Sequence, residues 1–204
     1  MILEELKAVV GPNEKVYYEG KPNKTCYIFE GIFNPLLPIA LLWALIDFGF
    51  IGAAFSTSSS EMSLFLVPFF MFHLMPVWIY LAGALFVGLR YNNTAYVVTD
   101  HAIYVASGIL NRTINRKPFA ELSQINLHRG LFDQMYGVGD IIASTNQYNS
   151  KGNPIPISIN SIDNYLEVYN IVKKLQTDIY SDTMYPNDLR PEENHGYNTK
   201  YKGF

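Results

Sequence analysis

Two long apolar runs within residues 31–90 constrain the fold of this chain more than any other feature. The first run, 33–55, carries one formal charge in 23 residues, and the second, 64–89, carries none in 26 when its histidine is neutral. Both runs exceed the roughly 20 residues that cross a hydrocarbon core of about 30 Å. Because a backbone in lipid must satisfy its own polar groups, runs of this length predict helices, which the short polar link 56–61 makes antiparallel. The prediction is a two-helix transmembrane hairpin.

Basic residues flank the two runs on one side only. They are Lys15, Lys21 and Lys24 before the first run and Arg90 after the second, and the link has none. Since positively charged flanks stay in the cytoplasm, we expect a multi-pass protein of the cell membrane with both termini cytoplasmic. The polar stretch 1–30 does not have the pattern of a cleavable signal peptide.

Each apolar run contains one Asp, Glu, Lys, Arg or His side chain, Asp47 in the first and His73 in the second. In an antiparallel hairpin the two lie at nearly the same depth. An ionised Asp costs about 2.5–3.5 kcal/mol at a helix centre, and a partner inside the bundle lowers that cost. The functional interpretation is a proton- or ion-responsive pair, and the structural one is a hydrogen-bonded clasp or a contact with a dimer partner. The structural interpretation is preferred because two helices alone line no pathway.

From residue 91 the pattern changes to alternating apolar and polar residues with frequent turns, which predicts an antiparallel β domain over 91–180. Its last strand contains Pro156, which requires either an edge strand or a position whose nitrogen faces away from the ladder. An amphipathic helix over 162–180, capped by Ser161, should close the domain. An aromatic stretch at 14–22 can pair with this domain or lie against it. Further strands are expected on both sides of an Asp100-His101 turn, near 111–116, at 123–128 and from 140.

Composition and spacing argue against several classes of function. Residues 91–204 balance 10 Lys and Arg against 11 Asp and Glu, without the basic clusters that nucleic acids require. The single cysteine, Cys26, excludes an intrachain disulfide and a multi-cysteine zinc site. The histidines lack the spacing of a helical metal site, and Gly137-Val138-Gly139 lacks the third glycine of a dinucleotide loop. Asp133 and Asp140 flank that turn; a carboxylate pair is one interpretation, but solvated turn residues are much commoner and are preferred. We therefore expect no catalytic residues, no metal and no cofactor.

Three segments, 96–109, 125–131 and 136–141, carry a family resemblance. They resemble the bacterial pleckstrin-homology-like (PH-like) domains of small membrane proteins of the YdbS/YdbT type. The shared pattern is Tyr-x-x-Thr, a short turn, an apolar strand and Gly, then a later Gly-x-Gly before another strand. His101-Ala102 departs from the Arg-Arg or Asp-Arg often found in that family. The resemblance covers about residues 91–178 and implies an antiparallel β sandwich or partly open barrel capped by a C-terminal helix, with a binding or scaffolding role and no catalysis.

The chain is thus predicted to divide into an N-terminal segment 1–30, a hairpin 31–90, a PH-like domain 91–180 and a disordered tail 181–204. The expected function is a membrane-anchored module that binds a membrane protein, a peptide segment or a second copy of itself. One alternative is an oligomeric assembly that passes ions or solutes through Asp47 and His73. A second is lipid-headgroup binding at the only local basic group, Arg112, Arg116 and Lys117. In the tail, Tyr197, Tyr201 and Phe204 are candidate partner contacts.

Overall fold

The structure, a computed structural model, describes residues 2–57 and 60–184. They form two compact units. The β unit contains residues 2–27 and 90–184, and the helical unit contains residues 28–89. The N-terminal segment, which the sequence analysis set apart from the β domain, therefore belongs to the same compact unit as that domain.

The described residues form seven helices and seven strands. The helices are α1 Ile2–Val9, α2 Lys24–Ile32, α3 Leu36–Thr57, α4 Ser60–His73, α5 Met75–Asn92, α6 Leu131–Tyr136 and α7 Tyr165–Met184. The strands are β1 Val16–Gly20, β2 Ala95–Thr99, β3 Ala102–Ser107, β4 Thr113–Pro118, β5 Leu122–His128, β6 Gly139–Tyr148 and β7 Pro154–Ile162. A 3-10 turn, Phe119–Glu121, joins β4 to β5.

The strands form two antiparallel sheets, a four-stranded one in the order β1-β2-β3-β4 and a three-stranded one in the order β5-β6-β7. The aromatic stretch near the N-terminus supplies β1, which pairs with β2 so that Gly20 lies opposite Tyr96. The prediction of an antiparallel β domain with a C-terminal helix is confirmed. The first sheet, however, draws one strand from before the apolar runs and three from after them.

Two apolar clusters hold the β unit together. The larger one contains inward-facing strand residues and three positions of α7 at helical spacing, Val168, Val172 and Leu175. The smaller one forms where α1 buries Ile2 and Leu6 against residues of β2 and β3. Full burial of a Leu, Ile or Val side chain contributes about 1.5–3 kcal/mol, so α1 is an integral part of this unit.

Two boundaries predicted from the sequence were wrong. Strand β7 continues to Ile162 and α7 begins at Tyr165, so Ser161 is a strand residue and not a helix cap. Its N–H donates to Asp140 Oδ1 at 2.7 Å, and its φ of 53° turns the chain toward the helix. The third strand of the later domain is Thr113–Pro118, about two residues beyond the predicted position. Strand β7, which contains Pro156, lies at the edge of its sheet as predicted.

The helical unit contains one unbroken helix that is long and apolar enough to span a membrane, Leu36–Ala54. Only 11% of its span is buried, whereas the core helix of a soluble protein is mostly buried. The second apolar run is broken: Phe65–His73 and Met75–Asn92 meet at an angle of 56°. A bent pair of this kind is either one broken span or a re-entrant loop. The predicted pair of spanning helices therefore stays a prediction.

Candidate functional site

A groove of about 500 Å³ opens between the two sheets of the β unit. One wall is formed by β3 and β4 and the other by β7. Both β4 and β7 are the last strands of their sheets among the described residues. The lining residues are Tyr27, Thr94, Tyr96, Val105, Ser107, Asn115, Lys117, Ile155, Pro156, Ile157, Ser158 and Asn160. The groove thus combines apolar walls with hydroxyl, amide and ammonium groups, as ligand sites commonly do.

The register between β4 and β3 shows which N–H groups of β4 point toward its free edge. The N–H of Phe119 donates to the carbonyl of His101 at 3.0 Å, one position beyond the pair Pro118 and Ala102. In an antiparallel ladder, residues that exchange hydrogen bonds alternate with residues that do not. The N–H groups of Ile114 and Arg116 therefore point away from β3, toward the free edge.

The edge of β7 has fewer free donors. Pro154 and Pro156 have no N–H, and proline is tolerated in a strand where its nitrogen faces away from the ladder. The backbone of Asn160, in the same alternation, is hydrogen-bonded to the Tyr96 hydroxyl. Burial raises the pKa of Tyr96, so this hydroxyl stays neutral. Of the two edges, β4 is therefore the better template for an added strand.

The structure separates the three cations that the sequence grouped together. Adjacent residues of a strand point to opposite faces, so Lys117 lines the groove while Arg116 faces the other side of the sheet. Their contacts are Arg112 with Glu5 at 2.9 Å, Arg116 with the Tyr104 hydroxyl at 2.9 Å and with Glu14 at 3.6 Å, and Lys117 with Gln147. Only one of the three is therefore part of the groove.

In the helical unit the structure brings Asp47 and His73 together. The His73 Nδ1 atom lies 2.8 and 3.0 Å from the two carboxylate oxygens of Asp47, whose side chain is 1% exposed. The ring of His73 stacks on Phe69, with 5.4 Å between the ring centroids. This geometry is that of a closed clasp between α3 and α4.

Two tryptophans that the sequence analysis did not consider support the same region. The indole N–H of Trp43 donates to the carbonyl of His73 at 2.8 Å, and that of Trp78 donates to the carbonyl of Met71 at 3.1 Å. Both carbonyls lie in the last turn of α4, and the last carbonyls of a helix have no donor within the helix. The indoles therefore satisfy backbone groups that would be costly in an apolar surrounding.

Asp133 is buried with no exposure, so its interpretation as a solvated turn residue was wrong. It lies in α6, a six-residue helix that the sequence analysis missed. Its carboxylate accepts the N–H of Gly130 at 2.8 Å and faces the Cys26 thiol at 3.5 Å.

The candidate tail contacts Tyr197, Tyr201 and Phe204 lie outside the described residues.

Two antiparallel sheets, a C-terminal helix and an open groove between sheet edges define a PH-like binding module. The chain belongs to a known family: it matches the family described as Bacterial PH domain over residues 36–176, about two thirds of its length. No curated protein and no solved structure matches it significantly. PH domains are in general non-enzymatic binding modules, and the family therefore supports the non-catalytic class of function predicted from the sequence.

Proposed function

We propose that this protein is a membrane-anchored, non-catalytic binding module that takes an extended segment of a partner protein along β4, in the groove of its β unit. The observation that carries the proposal is the position of the groove beside the free edge of β4. An added strand gains its affinity from main-chain hydrogen bonds and its specificity from pockets for alternate side chains.

The chemistry of β4 supports this mode of binding. The N–H groups of Ile114 and Arg116 offer main-chain donors at the edge, while the side chains of Asn115 and Lys117 line the groove. The ammonium group of Lys117 favours a segment that carries a carboxylate near the C-terminal end of β4. Extended peptides with an acidic side chain are therefore the preferred partners.

The two alternatives have less support. Phosphorylated headgroups are held by several convergent cations, whereas Arg112, Arg116 and Lys117 have separate partners. Ion passage through Asp47 would require a carboxylate free to meet the ion, and both of its oxygens contact His73.

Membrane anchoring has a topological argument in its favour. Strand β1 precedes the apolar runs and pairs with β2, which follows them. Both strands must therefore lie on the same side of any membrane, and the chain between them must cross it an even number of times. With α3 as one span, the bent α4–α5 pair would be the second. The basic flanks Lys15, Lys21, Lys24 and Arg90 favour the cytoplasmic side for the β unit.

Photo-crosslinking in native membranes tests the proposal. A photoreactive amino acid replaces Asn115 in the groove or, as a matched control, the exposed Leu166 on α7. We expect a discrete protein adduct from position 115 and none from position 166. Lys117→Ala should weaken the adduct, while Arg112→Ala, which removes a cation outside the groove, should leave it unchanged. Adducts to lipid alone would favour headgroup binding, and equal adducts from both positions would contradict the groove.

A further inference from the structure

Three side chains that can bind a metal meet at one end of the second sheet. His128 ends β5, Asp140 lies opposite it near the start of β6, and Asp133 projects from α6. One donor atom from each of the three lies within 4.8 Å of the other two. The His128 Nδ1 atom is 3.6 Å from Asp140 Oδ2. The strand register and one short helix thus bring together residues that the sequence places 5 to 12 positions apart.

The backbone fixes each of the two carboxylates. Asp133 Oδ2 accepts the N–H of Gly130, and Asp140 Oδ1 accepts the N–H of Ser161. Helix α6 ends at Gly137, whose φ of 70° is the left-handed conformation that glycine adopts without strain. The two carboxylates are therefore held in place by main-chain groups.

Among the described residues, no lysine or arginine side chain forms an ion pair with the carboxylates of this cluster. Asp133 is nevertheless fully buried. Buried charged groups are, as a rule, paired or bound to a metal. The donors to Asp133, the Gly130 N–H and the Cys26 thiol, are neutral, so a divalent cation between the two carboxylates would supply the positive charge that offsets them.

We propose that His128, Asp133 and Asp140 form a binding site for a divalent transition-metal ion such as Zn²⁺. One imidazole nitrogen and two carboxylate oxygens suit Zn²⁺ and similar ions, whereas Ca²⁺ takes six to eight oxygen ligands and Mg²⁺ an octahedral oxygen set. The bound ion would cross-link β5, α6 and β6 and so act as a structural ion. This site is independent of the groove, because none of its three residues lines the groove.

Zinc binding to the full-length protein in detergent tests the site. After treatment with EDTA, the protein is titrated with ZnCl₂ by calorimetry, and its thermal unfolding is followed with and without zinc. We expect one ion per chain at this site and a higher unfolding temperature with zinc. His128→Ala and Asp140→Asn should each weaken binding by about tenfold or more, because each removes one of three protein ligands.

Both variants should keep the fold, and a matched control is present in the same unit. The side chain of His128 is 60% exposed, and the amide oxygen of Asn at position 140 can still accept the Ser161 N–H.

His101 forms a comparable pair with Asp100 at 2.7 Å, but the neighbouring Glu14 already contacts Arg116. His101→Ala should therefore bind zinc like the wild type. Absence of zinc binding by the wild type, undiminished binding by both His128→Ala and Asp140→Asn, or equal loss in His101→Ala would overturn the proposal.

Discussion

At the scale of single residues, the contact between Asp47 and His73 shows how one polar pair is accommodated between apolar helices. The Asp47 side chain is 1% exposed, and both of its oxygens lie within 3.0 Å of the same imidazole nitrogen. Removing one member of a buried pair leaves the other without a partner, whereas removing both leaves an apolar contact. The two residues should therefore be strongly coupled.

A double-mutant cycle measures this coupling. We expect Asp47→Leu and His73→Leu each to destabilise the detergent-solubilised protein, and the double variant to be less destabilised than the sum of the two. The coupling free energy should be about 0.5–3 kcal/mol, the range for residues in direct contact. Phe72→Leu, at a neighbouring side chain that is 80% exposed, is the control and should change stability little. Additive effects of the two leucine substitutions would contradict the clasp.

The sequence predicted this pair but not the cluster at His128, for a physical reason. Helical depth in an antiparallel hairpin can be counted along the chain, so Asp47 and His73 could be matched before the structure was known. The proximity of Asp133 to His128 and Asp140 depends on a strand register and on a six-residue helix. Helices that short have no reliable apolar periodicity.

At the scale of elements, apolar patterns predicted whether a segment is a helix or a strand better than they predicted the residues at which it begins and ends. Strand β7, in which residues 155–159 alternate, continues to Ile162. Because Ile162 also fits the apolar stripe of the following helix α7, the sequence pattern alone could not show where the strand ends and the helix begins. The second apolar run was predicted as one helix, but it is two helices that meet at 56°. The run contains two prolines, Pro68 and Pro76, and the sequence alone does not show which of them bends the helix more.

The break in the second run provides a matched pair of prolines for a test. Pro68 lies inside α4 and Pro76 lies at the second position of α5. An alanine at position 76 restores an N–H that can bond to the carbonyl of residue 72 and removes the steric clash of the ring. Pro76→Ala should therefore reduce the 56° bend, and Pro68→Ala should leave it nearly unchanged.

Spin labels at the exposed positions Val67 and Leu85, one on each helix, report the bend as a distance. That distance should increase in Pro76→Ala because a straighter pair separates its ends. If the distance changed in Pro68→Ala and not in Pro76→Ala, the break would have a cause other than the proline beside it.

At the scale of the whole molecule, the sequence predicted the fold class but not which segments of the chain form the first sheet. The alternating pattern after residue 91 and the family resemblance indicated the β domain, and the match over 36–176 supports the family. The role of 14–22 stayed open between pairing and simple contact. Only the register of Gly20 opposite Tyr96 shows that a strand from before the helical unit completes the first sheet.

This register leads to a prediction about topology. Because β1 and β2 belong to one sheet, Asn13, just before β1, and Lys151, between β6 and β7, must lie in the same compartment. If α3 spans the membrane, Ser56 near its C-terminal end lies in the other one. Single cysteines at these three exposed positions test the arrangement in a Cys26→Ser background, in which the hydroxyl can still donate to Asp133. With an impermeant maleimide, intact cells should label only position 56, and permeabilised cells all three. Labelling of 13 and 151 in different compartments would refute the sheet pairing. Protection of all three positions in intact cells would refute the crossing by α3 and leave the pairing intact.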